Sequence, residues 1–203
     1  MSEAFRRAAG ELIDAGRFLF SRGWVPATSG NFSARLPDGH LALTVSGRHK
    51  GRLTVADILL ADAAGNSLDE RRPSAETALH VQIYRRFPDA GCVLHPHTVN
   101  ATLLSRRDTE PLILQDYELL KAFPGVDSHL CSVTVPVFAN DQDIPRLAAR
   151  VDAWMTDHAP VHGYLIAGHG FYTWGATVDD ALRHVEAFEF LFECELKLRG
   201  LAR

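Results

Sequence analysis

Residues 73–97 read PSAETALHVQIYRRFPDAGCVLHPH, and this stretch decides both the architecture and the chemistry. Pro73 and Ser74 suit the start of a helix, Ala75, Ala78, Leu79 and Ile83 recur on one side of it, and Pro88 closes it. The apolar run that follows ends in His95-Pro96-His97. On an extended strand, side chains two apart share a face, so His95 and His97 can both reach one cation while Val93 walls the same side.

Helix and strand keep alternating on either side of this unit. Toward the amino terminus, Phe5, Ala8, Ala9, Leu12, Ile13, Gly16, Leu19 and Phe20 recur at helical spacing behind a Ser2 cap, and Gly23 ends that helix. Alternating segments over 31–36 and 41–45, joined by Pro37-Asp38-Gly39, predict a hairpin, and 58–61 is a further extended piece running into a turn at 62–66. Toward the carboxy terminus, helices are expected over 99–105, 117–122 and 144–156, the last with Leu147, Ala148, Val151 and Trp154 inward. Strands are expected over 133–138 and 161–167. A long final helix begins at the capping box Thr177-x-x-Asp180 and presents Leu182, Val185, Phe188, Leu191, Phe192 and Leu196. Hairpins mixed with helices predict a three-layer α/β/α fold with a largely antiparallel or mixed central sheet, spanning 1–203 as one domain.

A third histidine lies between glycines in Ala167-Gly168-His169-Gly170, directly after an apolar segment, where backbone can approach a site closely. His162 competes for the third position. If 161–167 continues as one strand, the odd offset puts His162 and His169 on opposite faces, so His169 is the expected partner of His95 and His97. Three neutral imidazoles suit a borderline cation such as Zn²⁺ and leave positions open for substrate. Polar loops at 28–31, 44–51 and 72–76 offer backbone N–H groups to an anion, with Ser74 at a helix start and Lys50 adding positive charge. Glu76, in the first turn of its helix, and Glu118, in 115–121, are the acidic candidates. Each also has a plainer reading, as a helix-dipole partner or a solvated face.

The chain has 203 residues with a formal net charge of -4, and its arginine pairs are scattered rather than gathered into a stripe, which argues against a nucleic-acid partner. Three cysteines without C-x-x-C spacing, and no apolar leader or membrane span, fit a cytoplasmic protein. Cys92 and Cys194 sit in apolar patterns and read as core residues rather than nucleophiles.

The order Ser29-Gly30-Asn31, Ser46-Gly47, Pro73-Ser74-Ala75-Glu76-Thr77, His95-Pro96-His97 and Gly168-His169-Gly170 resembles the class II aldolase/adducin superfamily over nearly the whole chain. Residues 169–175, 115–121 and 186–193 are most similar to its dehydratase branch, which acts on 5-methylthioribulose 1-phosphate in methionine salvage. The resemblance implies a zinc lyase with one Zn²⁺ per subunit on His95, His97 and His169, and a homo-oligomer, usually a tetramer, with active sites at subunit boundaries. It places Asn31, Ser46, Gly47, Lys50 and Ser74 around the phosphate and substrate oxygens. It matches Glu118 to the dehydratase acid/base and Glu76 to the glutamate that aldolase relatives use. Some dehydratases carry cysteine at the latter position, so the role of Glu76 stays open between catalytic, metal-associated and structural. The rivals are a sugar-phosphate aldolase of the fuculose-phosphate type and a non-catalytic adducin-like binding module.

Overall fold

The computed structural model describes residues 2–107, 110–158 and 160–201. Helix α1 (Glu3–Ser21) starts where the Ser2 side chain accepts the Phe5 N–H, and it buries Phe5, Ala9, Leu12 and Leu19. The hairpin of β1 (Asn31–Arg35) and β2 (Leu41–Thr44) and then β3 (Ile58–Ala61) follow, and α2 (Thr77–Arg86) leads into β4 (Cys92–His95). Next come α3 (Val99–Arg107), β5 (Leu112–Gln115), β6 (Ser132–Val135), β7 (Val137–Phe138), α4 (Ile144–Asp157), β8 (Gly163–Ile166), β9 (Gly170–Gly175) and α5 (Val178–Leu201).

Seven strands form one sheet in the order β3-β2-β1-β4-β9-β8-β7, and β5 pairs with β6 apart from it. Every pairing in the large sheet is antiparallel except β7 with β8. Alternation along the strands splits the core in two. Phe32, Leu94, Leu165 and Phe171 face α1 and α5, while Val93, Tyr164, Ile166 and Tyr172 face α2 and α4. The second pair of helices is also clamped by Asp152, which accepts from Arg86 Nε at 2.8 Å and Gln82 Nε2 at 3.0 Å. This is the expected three-layer α/β/α architecture with a mixed, largely antiparallel sheet.

Five elements depart from the sequence reading. The single strand expected over 133–138 breaks at Pro136, which has no N–H for a ladder, so β6 stays with β5 and β7 becomes an edge strand of the main sheet. The helix expected over 117–122 is a 3-10 turn, Glu118–Ala122. Helix α2 begins at Thr77 rather than at Ser74, because the Ser74 carbonyl is taken by the Thr77 backbone and hydroxyl in a preceding turn, leaving Glu76 at the N-cap. Strands β5 and β9 were not expected at all. The glycines bounding β9 read as loop, yet its six residues are all buried between β4 and β8.

Candidate metal centre

Pairing of β1 with β4 sets Asn31 opposite His95 at the centre of the sheet. The chain leaves β4 at Pro96, and the His97 N–H is held by the Trp24 carbonyl at 2.9 Å. The third histidine comes from a turn between β8 and β9 in which Gly168 adopts φ +65°, a conformation glycine takes without strain. That turn is tied to α3, since Gly168 N–H donates to Ser105 Oγ at 3.0 Å and the Thr102 hydroxyl to the His169 carbonyl at 3.1 Å. Because the strand ends at Ile166, the parity argument that chose His169 over His162 does not apply. The fold itself separates them, and the His162 ring stacks on Phe123 near His184, outside the cluster of His95, His97 and His169.

His95, His97, His169 and Glu76 bring one ligand atom each to within 4.8 Å of one another. The Nε2 atoms of His95 and His97 stand 2.8 Å apart. Glu76 Oε2 lies 3.4 Å from His95 Nε2, and Oε1 lies 3.6 Å from His169 Nε2. His95 Nδ1 donates to the Phe171 carbonyl at 2.8 Å, so the proton sits there and the Nε2 lone pair turns inward, as in a ligating imidazole. Tyr172 supports the other side of that ring, stacked at 4.0 Å and 9°.

Burial sets the electrostatics. It holds the His95 imidazole well below the usual histidine range, with His169 adding to the effect, and brings His97 down to about 2. Uncharged imidazoles facing a carboxylate are a donor set suited to a divalent cation.

The cluster opens into a cleft of about 420 Å³ whose walls include Ser29, Gly30, Asn31, Ser46, Gly47, Lys50, Ser74 and Glu76. Lys50 is buried and donates to the Thr28 carbonyl at 3.0 Å and the Arg48 carbonyl at 2.7 Å, and burial brings its ammonium down to about 8. The structure thus gathers the expected residues into one site, with one exception. Glu118 lies outside the cleft, its side chain 72% exposed and paired with Lys121, with His129 at 3.9 Å.

The sequence profile of the class II aldolase and adducin N-terminal domain matches residues 10–196. The chain belongs to that family. Among class II aldolase-family relatives, methylthioribulose-1-phosphate dehydratase of Methylococcus capsulatus is 63% identical over 199 residues, covering 98% of each chain. The protein of that name from Pseudomonas paraeruginosa is 62% identical over 195 residues, 95% of each. Among solved structures, an L-fuculose 1-phosphate aldolase superposes with a TM-score of 0.82 at 24% identity, over 100% of this chain and 90% of that one, which shows the shared class II aldolase fold.

Several residues around this cleft escaped the sequence reading. Asn140, Gln142, Ile144 and Leu147 wall the cleft from the start of α4, brought there by tertiary packing alone. His80, Ser33 and Tyr84 form a buried polar group behind Asn31. The spacing of Glu76 and His80, four residues apart at the start of a helix, was the one local signal available for it.

Proposed function

We propose that this chain is a zinc-dependent dehydratase converting 5-methylthioribulose 1-phosphate to 2,3-diketo-5-methylthiopentyl 1-phosphate and water in methionine salvage. The observation that carries the reading is its near-full-length relation to proteins of that name, joined here to a complete histidine and carboxylate cluster. The donor chemistry fits zinc: His95, His97 and His169 present imidazole nitrogens, with Glu76 beside them, and His95 is already turned by the Phe171 carbonyl. A zinc ion held there supplies a Lewis acid that stabilises negative charge developing on substrate oxygens.

The rest falls to the chain's own groups. Lys50, the Ser46 and Ser74 hydroxyls and the Gly47 N–H, all on the cleft wall, hold the phosphate, and they fix the ketose so that C2 and C3 face the cluster. The C3–H, next to the C2 ketone, is the acidic one. Glu118 takes that proton and returns one to the C4 hydroxyl as it leaves, giving an enol that becomes the diketone. No carbon–carbon bond breaks. Since Glu118 stands outside the cleft of its own chain, it serves the cleft of a neighbouring subunit in a homo-oligomer, proposed as a tetramer. Exposed Val99 and Leu103 on α3, Phe190 on α5 and Leu119 beside Glu118 supply apolar surface for such contacts. Three free cysteines fit a reducing, cytoplasmic setting.

The deciding experiment is incubation of purified protein with 5-methylthioribulose 1-phosphate and mass analysis of the product. Loss of one water upholds the reading. Cleavage to dihydroxyacetone phosphate would instead favour an aldolase, in which Glu76, already inside the cluster, carries the proton. A protein that binds no metal and converts nothing fits the adducin-like module.

A further inference from the structure

Behind Glu76 runs a line of buried polar side chains that leads away from the cluster along the seam between β1 and α2. Asn31 Nδ2 donates to Glu76 Oε2 at 2.7 Å, and Asn31 Oδ1 meets His80 Nε2 in a short contact. His80 Nδ1 lies 2.7 Å from Ser33 Oγ, which in turn lies 2.8 Å from the Tyr84 hydroxyl. Asn31, Ser33, His80 and Tyr84 are all buried, so water cannot relax any wrong hydrogen-bond direction.

The directions follow from one end. Glu76 as a carboxylate only accepts, so Asn31 must present its NH₂ to it and its carbonyl oxygen to His80. His80 must then donate from Nε2, leaving Nδ1 as an acceptor. Ser33 donates to Nδ1 and therefore accepts from Tyr84. Burial keeps the Tyr84 phenol protonated, well above its ordinary range, and holds His80 down to about 4, so each has the proton state its place requires.

We infer that His80 is a positioning residue: in its Nε2–H form, oriented by Ser33 and Tyr84, it locks the Asn31 amide so that the Glu76 side chain is held facing His95 and His169. Reversal of the amide would set two oxygens against each other in a buried site, so the orientation of Glu76 depends on a ring that touches neither substrate nor metal. Asn31, placed in the sequence reading at the phosphate and substrate oxygens, lines the cleft and spends its amide oxygen and one amide hydrogen on this line. The inference rests on the reading of the cluster as a metal site for its affinity consequences, but not for the tautomer.

The test uses the full-length protein labelled with ¹⁵N-histidine, together with zinc affinity measured by competition with a chromophoric chelator. The His80 signals should show a protonated Nε2 and a bare Nδ1 from about pH 6 to 9, a feature that a merely space-filling ring need not have. His80→Leu should weaken zinc binding by roughly 10- to 100-fold, the usual effect of removing a group that orients a ligand. His80→Gln, whose amide N–H falls near the position of Nε2, should stay within about 3-fold of the unaltered protein on the same scale. An Nδ1–H ring, an unchanged affinity in His80→Leu, or a glutamine variant as weak as the leucine one would overturn the assignment. If His80→Leu fails to fold, the tautomer and the glutamine variant decide between them. An unaltered protein that binds no zinc would defeat the metal reading and leave the tautomer result standing.

Discussion

Gly170→Ala adds one methyl group where β9 passes beneath the histidines. Its Cβ would fall well under 3.0 Å from the Pro96 carbonyl oxygen, and would also lie 3.2 Å from His95 Cε1 and 3.2 Å from His97 Cα. The nearest obstacle is backbone, and the Pro96 carbonyl already accepts the Phe171 N–H at 3.2 Å, so no flexible side chain can swing aside. Relief therefore requires the 95–97 segment and β9 to separate by roughly 0.5–1 Å, more than the ~0.5 Å within which a metal or catalytic constellation must be held. Overpacking of this kind costs about 1–3 kcal/mol of stability, and a misplacement near 1 Å can cost on the order of 10²-fold in rate. Zinc affinity, turnover and thermal unfolding should all fall together. Gly10→Ala is the control: nothing lies within 4 Å of its Cβ on α1, so it should leave the site untouched and stabilise the helix by about 0.5–1 kcal/mol. A Gly170→Ala protein with unaltered zinc affinity and unfolding temperature would refute the claim that this close approach fixes the histidines.

Three other perturbations test the site. His95→Ala, His97→Ala and His169→Ala should each lose zinc by elemental analysis while His162→Ala, whose ring stacks on Phe123, keeps it; the opposite pattern for His162 and His169 would reassign the ligand. Burial lowers the Lys50 pKa from 10.5 to about 8, so the unfolded chain binds more protons between those values, and stability relative to Lys50→Met should rise with pH across that window. Over the same rise the folded ammonium loses its proton, so KM for the phosphorylated substrate should climb above about pH 8, and the methionine variant should lack that climb. Glu118→Gln should retain fold and zinc, because the side chain is exposed, yet lose roughly 10²–10⁴-fold in turnover and slow C3 proton exchange. Near-normal dehydration by that variant beside a zinc-loaded but inactive Glu76→Gln would move the acid–base role to Glu76.

Local pattern carried much of this structure. The face of α1, the strand Ile58–Ala61 and the capping of α5 at Thr177 are all properties of a few neighbouring residues, whereas His97 lies past the end of β4 and meets His95 with its N–H held by the distant Trp24 carbonyl. What escaped depended on partners distant in the chain. Strand β9 looks like loop until β4 and β8 flank it, and Pro136 divides a strand between two sheets only because each half has a different neighbour. His169 was chosen by a parity rule that its turn makes irrelevant. Beyond the spacing of Glu76 and His80, nothing local marks the His80 group, because a histidine on an apolar helix face shows nothing of the asparagine opposite it on β1.

The position of β4 between β1 and β9 also bears on how the protein is made. His95 is oriented by a carbonyl 76 residues further along, and His169 lies on that same distant segment. A nascent or refolding chain must close this long loop before three imidazoles can converge, so ligand assembly waits on the slow, non-local part of folding. On the proposed function, metal capture is then a late event on an already formed sheet, unlike small zinc modules that fold only around their ion. Chelation should accordingly leave the far-ultraviolet circular dichroism of the protein intact, and zinc added during refolding should raise the final yield of active enzyme more than the rate at which the sheet forms.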